Sequence, residues 1–364
     1  MPKLYRYRLY PKKSQITKLE NSLELCRLVY NETLALRKNA WETEQRNIGY
    51  YESKRELTKW KQECPELKTV HSLVLQDVTM RVDLAFKAFF RRCKAGENPG
   101  YPRFKGKGWY DSLTYVQSGY ELKDNILWLS KIGDVKIELH RPIEGDIKRI
   151  TVRRTATGKW YTSLLTDAIS DKLEPCDMAV GIDVGILSFA MLSNGESIEN
   201  PRFFIQSENA LAKSQRKLSG ADKNKPEYGR ALTAVRHVHE KTANRRDDFA
   251  HKISRNLVNR FGTICFEDLN IDNMVKNHCL AKHIMDVSWN KLVQYTTYKA
   301  ESAGCRVVLV NPNNTSKMCS TCGTIVDKTL KDRIHNCPVC GLSIDRDLNA
   351  AKNILRLGLQ SVAT

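Results

Sequence analysis

Four of the chain's eleven cysteines stand in two CxxC pairs, Cys319 with Cys322 and Cys337 with Cys340. CxxC spacing lets two thiolates from one tight turn reach the same tetrahedral ion, and a second pair closes a four-sulfur shell. Fourteen residues separate the pairs, and each pair is followed by a glycine, Gly323 or Gly341, suited to a sharp turn. The spacing predicts one structural zinc ion held by Cys319, Cys322, Cys337 and Cys340. A closed shell leaves no position for water, so catalysis must come from other residues. His335 is a weaker substitute ligand. Cys26, Cys64, Cys93, Cys176, Cys265, Cys279 and Cys305 read as reduced packing residues.

Acids in three separated segments suggest a second kind of chemistry. The apolar run from Met178 to Gly185 (MAVGIDVG) delivers Asp183 at its end, and Thr263 to Leu269 (TICFEDL) delivers Glu267 and Asp268. Asp345 to Ala351 (DRDLNAA) brings Asp345 and Asp347 to the start of a helical pattern. Carboxylates from separate elements suit Mg²⁺, which prefers oxygen ligands and keeps several waters. Two such ions about 3.5–4 Å apart activate a water and stabilise the leaving oxygen in phosphodiester cleavage. Coulomb repulsion among the acids would be relieved by the same cations. No GxGxxG, P-loop or serine nucleophile motif competes with them. His237 and His239, two apart on a helix, point to different faces and read as surface or packing residues.

The elements that must position these groups follow from periodicity. Residues 3–10 (KLYRYRLY) alternate as a strand ended by Pro11. Ser14 is a candidate cap for a helix whose stripe is Ile16, Leu19, Leu23, Cys26 and Tyr30. A second stripe is Leu75, Val78, Val82, Ala85 and Phe89, and both should face a core. From about residue 96, short alternating runs at 112–117, 126–129, 135–139 and 160–165 predict a β-rich, barrel-like domain that the first strand could join. A boundary falls near 167–177, a polar stretch containing Pro175. Beyond it the pattern predicts a strand at 178–183, a hairpin-like pair around Asn194-Gly195, helical sequence over 208–261, a strand at 263–267, a helix near 286–303, a strand at 306–310 and a last helix over 347–357.

The chain's 364 residues allow two or three domains. Its 59 Lys and Arg against 41 Asp and Glu give a formal charge of +18, which favours a polyanionic partner, nucleic acid first. The N-terminus lacks a secretory apolar run and no segment approaches a bilayer span, so the expected location is cytoplasmic, and nucleoid-associated in a prokaryote.

In order, GIDVG, FEDLN, NPNNTSKMCSTCG and DRDLNAAKNIL resemble the RuvC-like nuclease of the TnpB family, the transposon-encoded relatives of type V CRISPR effectors. GYPRFKGK and KWYTSLLTD are similar to family segments upstream. The resemblance implies a multidomain α/β fold: an RNase H-like RuvC nuclease with an inserted zinc ribbon, preceded by a β-barrel-like wedge domain containing a helical recognition insertion. The implied boundaries are 1–13 and 96–176 for the wedge, 14–95 for the insertion, 177–315 and 343–364 for the nuclease, and 316–342 for the ribbon. Carried over by position, Asp183, Glu267 and Asp347 match the family's catalytic metal ligands, with Asp268 and Asp345 as neighbours. Asp345 reads rather as a helix-start residue, and Lys317 departs from the polar uncharged residue usual before the first ribbon cysteine.

The implied activity is RNA-guided DNA cleavage. A guide RNA derived from the transposon end selects double-stranded DNA beside a short flanking motif, with Mg²⁺ (Mn²⁺ as an alternative) at the acids. Candidate nucleic-acid contacts are Lys3, Arg6, Arg8, Lys12 and Lys13, then Arg91, Arg92, Lys94, Arg103, Lys105 and Lys107. Tyr5, Tyr7, Tyr101 and Trp109 are candidate base-stacking residues. Arg245 and Arg246 are candidates for a nucleic-acid channel, and Lys328, Lys331 and Arg333 for phosphate contact near the ribbon. Two other readings are a nuclease-silent, RNA-guided DNA-binding regulator and a DNA-strand-joining transposase.

Overall fold

Alternation in the first ten residues has a direct consequence: in β1 (Pro2–Tyr10) the side chains of Tyr5, Tyr7 and Leu9 are buried while their neighbours face outward. The computed structural model describes residues 2–169, 172–174, 176–274, 276, 278–329 and 332–363; Lys331 and Pro175 lie outside them. It divides the chain into two units, Met1–Ile169 and Ser170–Thr364.

In the first unit, α1 (Lys13–Glu44), α2 (Tyr50–Glu63), a 3₁₀ turn (Pro65–Thr69) and α3 (Ser72–Lys94) follow β1. Then come β2 (Ser112–Val116), β3 (Tyr120–Lys123), β4 (Ile126–Leu129), β5 (Gly133–Glu138), β6 (Ile147–Arg154) and β7 (Trp160–Ile169). The sheet runs β2-β6-β7-β1-β5-β4-β3, all neighbours antiparallel. β1 sits in its middle, between β7 and β5, so the barrel-like sheet needs the first strand despite the helices that intervene in sequence. Ser14 does not cap α1. The cap is Lys12, whose backbone N–H donates to Gln15 Oε1 at 2.8 Å, while Gln15 Nε2 donates to Asp134 O at 2.6 Å and ties the helix to β5. The stripes of α1 and α3 face one core, with Leu19, Leu23, Cys26, Tyr30, Leu75, Val78 and Val82 buried. Phe86 fills the place expected of Phe89, which is only half-buried. Arg37 and Asp83, both buried, pair across α1 and α3 at 2.9 Å.

The second unit contains β8 (Ala179–Val184), β9 (Ser188–Leu192), β10 (Ser197–Glu199), α4 (Phe203–Ser219), α5 (Pro226–Arg260), β11 (Thr263–Glu267), α6 (Ile271–Met274) and α7 (His278–Val287). It continues with α8 (Trp289–Ala303), β12 (Arg306–Val310), β13 (Ile334–Asn336), β14 (Ser343–Asp345) and α9 (Arg346–Ala363). Five strands form one sheet in the order β10-β9-β8-β11-β12, in which β8, β11 and β12 are parallel. The single helical stretch expected over 208–261 is two helices: Gly220 ends α4 and Pro226 opens α5, and the segment between them cannot continue either. Likewise Ser288, at φ 56°, breaks the helix expected from Asp286, so α8 starts at Trp289.

Strand alternation divides the sheet's faces. Val180, Ile182, Ile264 and Phe266 enter a core with Leu257, Val258, Leu292 and Ala300 of α5 and α8. Cys265 points the other way, to a smaller core with Ile354 of α9. By the same period of two, Asp183 and Glu267 share the α9 face.

Candidate active site

β8 and β11 pair in parallel register up to Ile182 and Phe266, and Asp183 and Glu267 come one residue later, at the adjoining ends of the two strands. Helix α9 reaches them because two glycines remove what would hold it off. A Cβ at Gly181 would overlap the carbonyl oxygen of Ala351 and the backbone nitrogen of Leu355, and one at Gly358 would overlap the Cys265 sulfur. At Gly181 backbone therefore lies directly on backbone, and at Gly358 the helix backbone lies on the Cys265 side chain. Asp347 is one helical turn before Ala351, about 6 Å along α9. Asp183 is two residues beyond Gly181, about 6.6 Å along β8. The equal steps bring the third acid toward the first.

Electrostatics record that convergence. Burial pushes the Asp183 carboxyl well above the usual carboxylate range, and the charges of Glu267 and Asp347 push it further, with Arg346 opposing. Burial also raises Glu267, whose Oε1 accepts a hydrogen bond from the Thr315 hydroxyl. Arg346 holds Asp347 Oδ1 from Nη2 at 3.1 Å, and Arg333 Nη1 lies 3.9 Å from Oδ2. Asp345 is exposed and accepts the N–H groups of Asp347 at 2.8 Å and Leu348 at 3.0 Å, so it caps α9. Asp268 is exposed, its backbone N–H bonded to Val310 O at 2.8 Å. Three half-buried carboxylates, Asp183 and Glu267 with proton affinity raised by burial, are a donor set for hard cations.

The cysteine pairs are drawn more tightly. Each forms the same turn: Gly323 N donates to Cys319 O and Gly341 N to Cys337 O, both at 3.0 Å. Both glycines take positive φ, 78° and 72°. Sulfurs meet across the pairs, Cys319 with Cys340 at 3.6 Å and Cys322 with Cys337 at 3.5 Å. A tetrahedral ion with bonds near 2.3 Å requires edges of about 3.8 Å, so the four thiols could hold a metal ion such as zinc. The Thr324 hydroxyl and N–H facing Cys322 lower its pKa to about 6, favouring thiolate. Among the described residues this is the one group of three or more Cys, His, Asp or Glu with ligand atoms all within 4.8 Å; the carboxylates stand wider apart. His335 is outside it, its Nδ1 facing Lys328 Nζ.

The candidate nucleic-acid residues behave differently from one another. Lys12, Lys13, Arg91, Lys94, Arg103 and Lys107 are exposed. Lys3 is paired with Glu144, and Arg6 lies exposed over the Tyr161 ring at 4.4 Å. Arg8 is half-buried against the same ring. Arg92 donates to Gly100 O at 3.4 Å. Lys105 is pinned by its backbone, donating to Asn31 Oδ1 at 2.8 Å and accepting from Arg27 and Asn31 at 3.0 Å. Trp109, 79% exposed, remains open for stacking, whereas Tyr101, though exposed, packs edge-on against Phe86 and Phe89. Tyr5 and Tyr7 are not open to it: both are buried, because their strand is central to the sheet. Arg246 is also corrected, since it is bound to buried Asp286 at 2.7 Å, whereas Arg245 is exposed beside Phe203. Lys328 turns inward to Ser316 O and His335, and Lys317 pairs with Asp327 at 3.1 Å. His237 and His239 are exposed.

Sequence reasoning passed over Thr315, Arg346, Asn349 and Asn353. The signal available was their place in NPNNTSK and DRDLNAAKN, two of the segments that carry the family resemblance.

Comparison with solved structures first defines the fold. The structure of CasPhi-2 (Cas12j) bound to crRNA matches 99% of this chain and 98% of that chain at TM-score 0.51 and 11% identity. The mini-RNA-guided endonuclease CRISPR-Cas_phi3 matches 99% and 92% at TM-score 0.50 and 9% identity. The fold is thus of the type V effector kind, mixed α/β with a barrel-like sheet. Sequence profiles match over residues 163–278 (OrfB_IS605, "Probable transposase"), 289–354 ("Cas12f1-like, TNB domain") and 1–46 ("Helix-turn-helix domain"). Residues 2–44 form one strand and one uninterrupted helix, so the turn of the last description is not formed within them. A Streptomyces pristinaespiralis protein named as an RNA-guided DNA endonuclease is 37% identical over 99% of this chain and 90% of its own length. InsQ of Escherichia coli K12, named likewise, is 30% identical over 97% and 92%. The Cas12f1 endodeoxyribonuclease of Sulfoacidibacillus thermotolerans is 28% identical over 65% and 56%. The chain belongs to the TnpB family, related to type V CRISPR effectors.

Proposed function

We propose that this protein, an RNA-guided DNA endonuclease by family, cleaves phosphodiester bonds at a RuvC-like site whose divalent ions are held by Asp183, Glu267 and Asp347. The observation that carries the reading is the convergence of the three carboxylates on one face of the sheet, with Asp183 raised by burial and, beyond that, by the charges of the other two. Bound Mg²⁺ (or Mn²⁺) supplies Lewis acidity to the phosphate and lowers the pKa of the attacking water. The chain's own residues prepare that site: three oxygen donors, Arg346 holding Asp347, and Asp345 fixing the first turn of its helix. Cys319, Cys322, Cys337 and Cys340 hold a structural zinc that folds the segment before α9.

Residues 1–13 and 96–176 serve as a wedge and 14–95 as a recognition insertion for the guide RNA and double-stranded target. The exposed members of the basic set contact backbone, and Trp109 offers a stacking surface. Among the described residues no helix is long and apolar enough to cross a membrane, and DNA in the cytoplasm or nucleoid is the intended substrate. Retention of all three acids, together with relatives named as endonucleases, gives no support to a nuclease-silent regulator or a strand-joining transposase.

The test is to sequence RNA that copurifies with the protein and to offer matching DNA with Mg²⁺. One discrete RNA and guide-dependent cutting are expected, while Asp183→Ala keeps binding and loses cutting. Absence of an enriched RNA, or undiminished cutting by Asp183→Ala, overturns the reading.

A further inference from the structure

Between β12 and the first cysteine pair the chain runs through a short loop that carries Thr315, 3% exposed. Its hydroxyl donates to Glu267 Oε1, with Pro312 O at 3.0 Å as the alternative acceptor. A hydroxyl has one proton to give, and the carboxylate is the stronger acceptor. The same residue's carbonyl accepts Asn353 Nδ2 at 2.8 Å. Three residues on, Met318 O accepts Asn349 Nδ2 at 2.7 Å and Asn353 Nδ2 at 2.6 Å, and Ser320 N donates to Asn349 Oδ1 at 2.9 Å. Asn349 and Asn353 are fully buried and stand four apart, on one face of α9, directly after Asp347. Ser320 lies inside the first CxxC turn.

These contacts join three things. The loop is bolted to α9 through two buried amides, to the cysteine cluster through the turn of Cys319, and to Glu267 through one hydroxyl. Buried amides and carbonyls are costly to leave unpaired, so the joint resists piecemeal loosening. Glu267, with Oε1 held, is left with Oε2 to offer a cation.

We propose that Thr315 is a positioning residue for Glu267, aligning its carboxylate with Asp183 and Asp347 and referencing that alignment to the ribbon and α9 through Asn349 and Asn353. The inference rests on the proposed metal role of the three acids. A hydrogen bond to a ligating carboxylate reduces the orientations it must abandon when a cation binds, and loss of such a partner typically costs about 10–100-fold in metal affinity.

The experiment compares full-length protein with its copurified RNA as wild type, Thr315→Val, Thr315→Ser and Asp183→Ala. Mn²⁺ binding without DNA is followed by the EPR signal of free Mn²⁺, the Mg²⁺ concentration for half-maximal cutting is measured, and zinc content serves as the folding control. Thr315→Val, isosteric but without the hydroxyl, should weaken Mn²⁺ binding and raise the Mg²⁺ requirement by about tenfold. Excess Mg²⁺ should restore most of its rate, and zinc content should be unchanged. Thr315→Ser should stay near wild type. Unchanged Mn²⁺ affinity in Thr315→Val, or an equal loss in Thr315→Ser, overturns the inference while Asp183→Ala remains inactive. Cutting and Mn²⁺ binding that survive Asp183→Ala would instead overturn the assignment of the acids.

Discussion

The cysteine cluster and the carboxylate trio lie in the same unit but are assembled on different scales. All four sulfurs come from residues 319–340, two copies of one turn whose thiols meet at 3.5–3.6 Å. The carboxylates span residues 183–347 and come from two strand ends and a helix start, wider apart than 4.8 Å as a set. A metal at the first site can organise its own ligands, since the turns are local. The second requires the sheet, the two glycines and α9 before it exists. One site would therefore contribute to folding, whereas the other is a product of it.

Replacing one thiol should test the first half of that contrast with the largest effect. Cys319→Ser should reduce bound zinc, open residues 316–342 to proteolysis and, through Ser320 and Asn349, reduce cutting by roughly 100-fold or more, because structural zinc in small domains contributes on the order of 10 kcal/mol. Zinc content by mass spectrometry and limited proteolysis are the readouts. Zinc and protease resistance equal to wild type would erase the distinction between the sites.

A backbone change should test the second half. Gly181→Ala puts a methyl into the α9 backbone, where flexible side chains cannot yield, and should destabilise by about 1–3 kcal/mol while displacing Asp347. Cutting should fall although zinc remains. Denaturant midpoints and cleavage rates decide it, and an active, fully stable variant would mean the glycine does not set the seat of α9.

The smallest effect concerns stability alone. Asp183 has a raised folded pKa, so in metal-free protein the unfolded chain releases this proton first as pH rises. Stability is then lost as pH climbs from the ordinary carboxyl value near 3.9 toward the folded one. Asp183→Asn should remove Asp183's share of that slope, leaving the share of the likewise raised Glu267, and raise the melting temperature at neutral pH by a few degrees. Melting curves in chelator from pH 4 to 8 measure it, and parallel curves for the two proteins would show that the Asp183 carboxyl does not strain the empty site.

Much of this was legible from local pattern. β1, β11 and β12 follow from alternation or short apolar runs, and the paired cysteines follow from spacing. β3 and β6 did not, because Lys148, Arg149, Arg153 and Arg154 interrupt the apolar signal of β6 and β3 has only four residues. The burial of Tyr5 and Tyr7 was missed for another reason. A basic, aromatic strand looks like a nucleic-acid surface until its place between two other strands is known. Gly220 and Pro226 did mark the division of α4 from α5, but the surrounding charged sequence obscured it.

From the order of residues alone came the donor types, the family resemblance and the grouping of the four cysteines, since a CxxC turn is complete within a few residues. The tertiary structure decided how Asp183, Glu267 and Asp347 converge and how Thr315 reaches Glu267. Those relations depend on strand register and on a helix lying against two glycines. They are distances between segments remote in sequence, and no local spacing encodes them.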